Sequence, residues 1–178
     1  MHRVFIGMPA SRAFIDAAAG FRHAHPALKV RWIRPEDMHI TMVPPWMCGE
    51  LDPVCNALQA AAASQAPIQV RLDSVTFGPD ARRPRLIWAK GTASEGLAGF
   101  AGRLRAAFGD GQEAGRRFLL HLTIARFNRQ EASKLSLTRL DEPVAWSGTL
   151  DGLCLYESIL KPSGAEYRVI CRVPLARV

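Results

Sequence analysis

Two histidines, each followed two residues later by a threonine, are the residues of this chain best suited to acid–base chemistry. His39 and Thr41 lie in the run M-H-I-T-M, and His121 and Thr123 lie in L-H-L-T-I. An imidazole can accept or donate a proton near neutral pH, and a hydroxyl can donate a hydrogen bond to an anionic oxygen. These four residues are therefore the candidate site.

Both histidines stand in short apolar runs that predict β-strands. Successive side chains of a strand point to opposite faces, so each run has one apolar face and one face with a histidine and a threonine. We call the segments His39–Met42 and His121–Ile124 the two tetrads. The faces expected to be buried contain Met38, Ile40 and Met42 in the first strand and Phe118, Leu120, Leu122 and Ile124 in the second.

Apolar periodicity and turn residues divide the rest of the chain into further strands and helices. Pro44-Pro45 is expected to end the first tetrad strand, because proline cannot donate to a strand ladder. The other expected elements, in chain order, are a strand at Arg3–Met8, a helix after Ser11, a strand at Val30–Ile33, a helix that starts at Asp52-Pro53, a strand at Ile68–Phe77 with a bulge near Asp73-Ser74, a strand at Arg85–Lys90, a helix capped by Ser94, a short helix around Glu131–Leu137, and strands at Leu150–Tyr156 and Tyr167–Leu175.

The same order of helix, strand, turn and strand follows each tetrad, and the two tetrads lie about half the chain apart. This pattern indicates a duplicated unit. It predicts an α+β, bilobed, pseudo-twofold fold with two antiparallel-rich β-sheets, outer helices and a central cleft that carries the two His-x-Thr tetrads. We expect one domain over residues 1–178, made of two interleaved lobes, with His39 facing His121 across the cleft.

The composition is that of a globular protein, and its basic balance suggests either a polyanionic partner or a basic, solvated surface. Hydrophobic residues make up 48% of the 178 residues, and 23 basic against 16 acidic side chains give a formal net charge of +7. Most of the basic residues are arginines, whose planar guanidinium suits phosphate oxygens. No apolar run approaches the length of a membrane span, and the N-terminus is too short and polar for a secretory signal. We therefore expect a cytoplasmic protein with no membrane partner. We also expect a monomer.

The four cysteines, at positions 48, 55, 154 and 171, show no C-x-x-C spacing. Cys154 and Cys171 fall in two strands that could pair, which leaves a cross-strand contact open. The main expectation is a set of buried, reduced thiols. These spacings predict no zinc site, and nothing else in the chain points to a metal or a cofactor.

Two imidazoles on opposite sides of a phosphorus atom can supply both proton transfers of phosphodiester hydrolysis. One imidazole would deprotonate a water and the other would protonate the leaving oxygen, each step typically contributing about 10²–10⁴ in rate. The threonine hydroxyls could donate hydrogen bonds to the non-bridging oxygens, which gain charge in the transition state. The scheme requires no metal.

The chain also resembles a known family, the 2H phosphoesterases, in the branch of bacterial RNA 2′,3′-cyclic phosphodiesterases and 2′–5′ RNA ligase-like proteins. The resemblance spans nearly the whole sequence. It includes R-V-F-I-G-M-P, W-I-R-P-E-D-M-H-I-T-M, R-P-R-L-I-W-A, F-L-L-H-L-T-I-A-R and L-Y-E-S-I-L-K-P-S-G-A-E-Y.

The resemblance implies hydrolysis of RNA 2′,3′-cyclic phosphate ends to 2′-phosphomonoesters, in a bilobed fold. His39 would then protonate the 3′ leaving oxygen and His121 would activate water. Thr41 and Thr123 match the motif threonines, and Arg126 matches an arginine near the phosphate. In an ideal strand Arg126 lies on the face opposite His121, so this role requires a bulge or a strand end.

Two positions depart from the family pattern and bear on the substrate. Val43-Pro44-Pro45-Trp46 replaces Phe-Leu-Gly after the first tetrad, and Leu120 replaces a proline before His121. Trp46 could either stack on a base or pack in the core.

Other functions remain open at this point. The alternatives are a phosphodiesterase or ATP-independent ligase for 2′–5′-linked or small cyclic nucleotides, and a non-catalytic RNA-binding domain. A metal-binding role for His39 and His121 lacks the carboxylate or thiolate ligands usually found beside them.

Overall fold

A computed structural model describes residues 1–80, 83–109, 115–127, 140–161 and 164–176. It contains three α-helices, one short 3-10 turn at Pro35–Asp37 and nine strands in these ranges. The helices are α1 (Arg12–Ala24), α2 (Leu51–Ala63) and α3 (Glu95–Ala107), and the strands are β1 (His2–Pro9), β2 (Arg31–Trp32), β3 (His39–Cys48), β4 (Ile68–Gly78), β5 (Leu86–Lys90), β6 (His121–Arg126), β7 (Asp141–Leu150), β8 (Gly152–Lys161) and β9 (Gly164–Pro174).

The strands form two sheets, and each sheet takes strands from both halves of the chain. Sheet A has the order β3-β1-β8-β9, and sheet B has the order β2-β6-β5-β4-β7. Every pairing between the described strands is antiparallel. The predicted α+β class with two antiparallel sheets is confirmed. The first tetrad lies on β3 in sheet A and the second on β6 in sheet B.

The apolar face of each tetrad strand is buried, as the alternation predicts. Ile40, Met42, Leu122 and Ile124 have no exposed surface, and they belong to one core cluster with the apolar faces of the three helices. Helix α1 packs on β7, α2 on β8 and β9, and α3 on β3. Burial of the alternate residues leaves the histidines and threonines on the other face of each strand.

The bulge in β4 and the cap of α3 are confirmed, and the predicted start of α2 is wrong. The register between β4 and β7 shifts between Leu72 and Ser74, as the expected bulge requires. The Ser94 side chain accepts a hydrogen bond from the Leu97 backbone N–H and so caps α3. Helix α2 begins at Leu51 with Glu50 as its N-cap, earlier than the start predicted at Asp52-Pro53.

The prediction that Pro44-Pro45 ends the first tetrad strand is wrong. Strand β3 continues through both prolines to Cys48, with a further register shift opposite Val4–Ile6. Among the described strands β3 lies at the edge of sheet A, and it pairs there only with β1. An edge strand can accommodate proline because its missing N–H faces away from the ladder.

Strand β7 is an element that the sequence did not predict. Its residues alternate between exposed and partly exposed along most of Asp141–Leu150, so they carry little apolar periodicity. It pairs with β4 along eight positions and lies at the edge of sheet B among the described strands. The helix expected around Glu131–Leu137 falls outside the described residues.

The cysteines depart from the expectation of reduced thiols. Cys55 on α2 and Cys171 on β9 form a disulfide, with their Cα atoms 6.3 Å apart. Cys48 and Cys154 are free and buried. Cys154 lies on β8 beside β9, as predicted, but the partner of Cys171 comes from the helix packed on this sheet.

None of the described helices is long and apolar enough to cross a membrane.

Candidate active site

All five residues predicted for the site line one cavity. This cavity has a volume of about 360 Å³ and is bounded by both sheets. His39 and Thr41 enter it from β3, and His121, Thr123 and Arg126 enter it from β6. The two tetrads, separated by half the chain, therefore present their polar faces to a common space.

A β-bulge occurs at the fourth residue of each tetrad. In sheet A, Gly7 pairs with Thr41 and Ile6 with Val43, so Met42 is left without a partner position. In sheet B, Trp88 pairs with Thr123 and Ile87 with Ala125, and Ile124 is skipped in the same way. The matching irregularities are what a duplicated unit would produce.

The second bulge explains how Arg126 reaches the site. With regular alternation Arg126 would point away from His121. The extra residue at Ile124 changes the parity of β6, so Ile124 and Ala125 are both buried and Arg126 lines the cavity. A bulge in this position is a common way to redirect a side chain beside an active site.

Each histidine is oriented by a backbone carbonyl two residues before it. His39 Nδ1 lies 2.7 Å from the Asp37 carbonyl oxygen, and His121 Nδ1 lies 2.9 Å from that of Leu119. A carbonyl oxygen only accepts, so Nδ1 of each ring must carry the proton and donate it. Nε2 is then the nitrogen of each ring that can exchange a proton with a ligand.

The surroundings of both imidazoles favour the neutral form. The pKa of His39 falls from 6.5 to about 4, mainly because the ring is buried. The hydrogen bond to the Asp37 carbonyl opposes this change, and the positive charge of Arg126 adds to it. Burial also lowers the pKa of His121, again with a contribution from Arg126. A bound anion would act in the opposite direction, because a nearby negative charge favours the protonated ring.

Tyr167 is a site residue that the sequence reasoning did not single out. Its hydroxyl oxygen accepts a hydrogen bond from Arg126 Nη2 at 3.2 Å, and its ring packs edge-on to His39 at 5.3 Å between centroids. It therefore contacts one residue of each tetrad strand. Tyr167 ends the segment L-Y-E-S-I-L-K-P-S-G-A-E-Y that resembles the family, and this position in the sequence could have indicated a role in the site.

Aromatic rings support both histidines. Phe5 packs against His39 at 4.8 Å between ring centroids and stacks on Tyr156. Trp88 packs edge-on to His121 at 4.8 Å, and its Nε1–H donates to Thr76 Oγ1 at 2.9 Å. These buried rings limit the positions that the imidazoles can take. The contact between Trp88 and His121 depends on the register between β5 and β6, which cannot be read from the sequence.

Three of the positions that depart from the family pattern, Val43, Trp46 and Leu120, are buried in the core. Trp46 is 9% exposed and belongs to the main apolar cluster, so the structure favours packing over base stacking. Leu120 is buried as well, and Pro45 lines the cavity. Of these positions, Pro45 is the one that forms part of the cavity wall. Among the described residues no group of three or more His, Cys, Asp or Glu side chains is placed to hold a metal ion.

Comparison with known proteins agrees with this architecture. A family model described as the 2′–5′ RNA ligase superfamily matches residues 9–161. The RNA 2′,3′-cyclic phosphodiesterase of Geobacillus stearothermophilus is 34% identical over an alignment of 139 residues, and the match covers 72% of this chain and 43% of that protein. The chain thus matches less than half the length of this relative.

Solved structures share the fold over nearly the whole chain. TT0787 of Thermus thermophilus superposes with a TM-score of 0.78 at 25% identity and covers 97% of each chain. Escherichia coli LigT complexed with NADP+ gives 0.71 at 21% identity and covers 99% of each chain.

Proposed function

The chain belongs to the 2′–5′ RNA ligase superfamily, and on this premise we propose that it hydrolyses RNA 2′,3′-cyclic phosphate ends to 2′-phosphomonoesters. One observation carries the proposal: two imidazoles and two threonine hydroxyls from different sheets line a single cavity together with Arg126. The name of the Geobacillus stearothermophilus relative, an RNA 2′,3′-cyclic phosphodiesterase, supports this choice of substrate.

In the proposed reaction the two histidines exchange protons on opposite sides of the phosphorus atom. His121 Nε2 takes a proton from water, and the water oxygen forms a bond to phosphorus. The bond from phosphorus to O3′ breaks, and O3′ takes a proton from His39 Nε2. The products are a 3′-hydroxyl and a 2′-phosphomonoester, and a proton returned through water restores both rings.

The remaining site residues act on the charge of the phosphate. The Thr41 and Thr123 hydroxyls and the Arg126 guanidinium donate hydrogen bonds to the non-bridging oxygens, where negative charge grows in the transition state. The same phosphate is the anion that raises the pKa of the two imidazoles on binding, because it favours their protonated forms. Protonation of His39 is thereby coupled to the presence of substrate.

The test uses a defined RNA with a 2′,3′-cyclic phosphate end and identifies the product. His39→Ala and His121→Ala should each lower kcat by at least about 10², since each removes one proton transfer. His23→Ala serves as the matched control, because His23 is an exposed residue of α1 outside the cavity. The wild-type rate should be the same with EDTA, since no step of the proposed mechanism uses a metal.

Two results would reject the proposal. Undiminished turnover in both cavity variants would remove the histidines from the mechanism. Salt-dependent RNA binding by the wild-type protein without any turnover would indicate a non-catalytic RNA-binding domain instead.

The family description also favours a second candidate, chemistry on 2′–5′ linkages. A 5′-hydroxyl in place of water could attack the same cyclic phosphate. His121 would take the proton of that hydroxyl, the bond from phosphorus to O3′ would break, and O3′ would take a proton from His39, so that a 2′–5′ linkage forms without ATP. Incubating the protein with a 2′–5′-linked dinucleotide and with small cyclic nucleotides would separate these substrates from RNA ends.

A further inference from the structure

Arg3 is a cationic residue in the cavity that the proposed mechanism does not use. It lines the same cavity as the two histidines, and its Nη1 donates to the Ser158 hydroxyl at 2.8 Å. Ser158 is 5% exposed, so it holds the guanidinium from a fixed position. A guanidinium has five N–H donors, and most of those of Arg3 remain available to a ligand.

No carboxylate of the described residues forms an ion pair with Arg3. Asp37 is the one acidic side chain among the described residues that line the cavity, and it is already paired, with Arg34 Nε 2.8 Å from its carboxylate. A half-buried cation without a counter-ion favours an anionic ligand, because the ligand replaces the solvation that the cavity wall takes away.

Arg3 is set apart from the two histidines along strand β1. Arg3, Phe5 and Gly7 share one face of β1, and a Cβ at Gly7 would come within 3.1 Å of the His39 ring. At about 3.3 Å per residue, the Cα atoms of Arg3 and Gly7 are about 13 Å apart along the strand.

The bond to Ser158 keeps the guanidinium at that far end. Phe5 pairs with Tyr156 on β8, and Ser158 lies two residues beyond Tyr156, away from His39. The cavity therefore offers two positions for negative charge, one between the tetrads and one at Arg3.

A polynucleotide end supplies two such charges, and a mononucleotide cyclic phosphate supplies one. We propose that Arg3 binds the phosphodiester that precedes the reacting nucleotide, so that the substrate class is an oligonucleotide end. The inference rests on the proposed function, because it takes the reacting phosphate to lie between the two tetrads. A mononucleotide would leave Arg3 without an anionic partner and would bind more weakly.

The test measures binding and needs no turnover. Two probes are compared, both dinucleotides ending in a 2′-phosphate. One has a normal phosphodiester between its nucleotides, and the other has an uncharged methylphosphonate linkage. The wild-type protein should bind the charged probe about tenfold more tightly, as expected for one charge-assisted hydrogen-bonded contact.

Arg3→Gln should remove this preference, and Arg3→Lys should retain part of it. The matched control is Arg12→Gln, which removes the same charge from an exposed position on α1 and should keep the full preference. The dependence of log Kd on log salt should also be shallower for Arg3→Gln, by about 0.7 for one lost phosphate contact on a single strand. Circular dichroism would check that the variants fold.

The outcomes separate this inference from the proposed function. Equal binding of the two probes by the wild-type protein, or an unchanged preference in Arg3→Gln, would overturn the role of Arg3. If the preference depends on Arg3 but no cyclic phosphate end is hydrolysed, the subsite stands and the proposed reaction fails.

Discussion

Replacing His39 should flatten the dependence of stability on pH. Burial lowers the pKa of this imidazole to about 4 in the folded protein, from 6.5 for an unperturbed ring. On acidification the unfolded chain therefore takes up a proton at this position before the folded protein does. Stability from the neutral buried ring is fully present above pH 6.5 and is lost as the pH falls towards 4.

The size of this loss follows from the two pKa values. Each pKa unit corresponds to about 1.4 kcal/mol. Between pH 7.5 and pH 5 the free energy of unfolding should fall by about 2 kcal/mol through His39 alone, and by about 3 kcal/mol at pH 4. Other titrating groups add their own changes, so the quantity to compare is the difference between wild type and variant at each pH.

The assay is urea unfolding of wild type and His39→Gln between pH 7.5 and pH 5. Glutamine removes the titrating ring and keeps a polar side chain. As the pH falls from 7.5 to 5, the unfolding free energy of the wild type should drop by about 2 kcal/mol more than that of His39→Gln. His23→Gln, which removes an exposed imidazole, is the matched control. His121 is present in all three proteins, so its contribution cancels.

Parallel stability curves for wild type and His39→Gln would refute the reasoning. They would mean that the ring is protonated as readily in the folded cavity as in the unfolded chain. The proposed coupling between substrate binding and protonation of His39 would then lose its basis.

Two further predictions concern the reaction itself. Because burial lowers the pKa of His39 and His121 in the free protein, the pH profile of kcat/KM should be centred below pH 6.5. The profile of kcat should lie at higher pH, since bound phosphate raises both pKa values. Coincident profiles would contradict this expectation. Tyr167→Phe should lower kcat/KM about three- to tenfold, because it removes the hydrogen bond to Arg126. In an Arg126→Ala background the same substitution should leave kcat/KM unchanged. An equal cost in both backgrounds, measured by steady-state kinetics, would show that Tyr167 does not act through Arg126.

Local patterns in the sequence determined the strands of the site and the faces that they expose. The alternation around His39 and His121 predicts which neighbours are buried, and those neighbours are buried in the structure. Side-chain direction in a strand repeats every two residues, so it can be read without knowledge of the fold. The repetition of the tetrad in the two halves of the chain also predicted the two antiparallel sheets.

The path of Arg126 into the cavity depended on tertiary structure, because the bulge at Ile124 is a property of the register between β5 and β6. The same holds for the continuation of β3 through its prolines, which an edge position permits, and for the Cys55–Cys171 disulfide, which requires α2 to pack on β9. The contact of Tyr167 with Arg126 joins two sheets. Register, edge position and the low pKa of His39 all arise from contacts between segments far apart in the chain, and such contacts leave no periodic signal in the sequence.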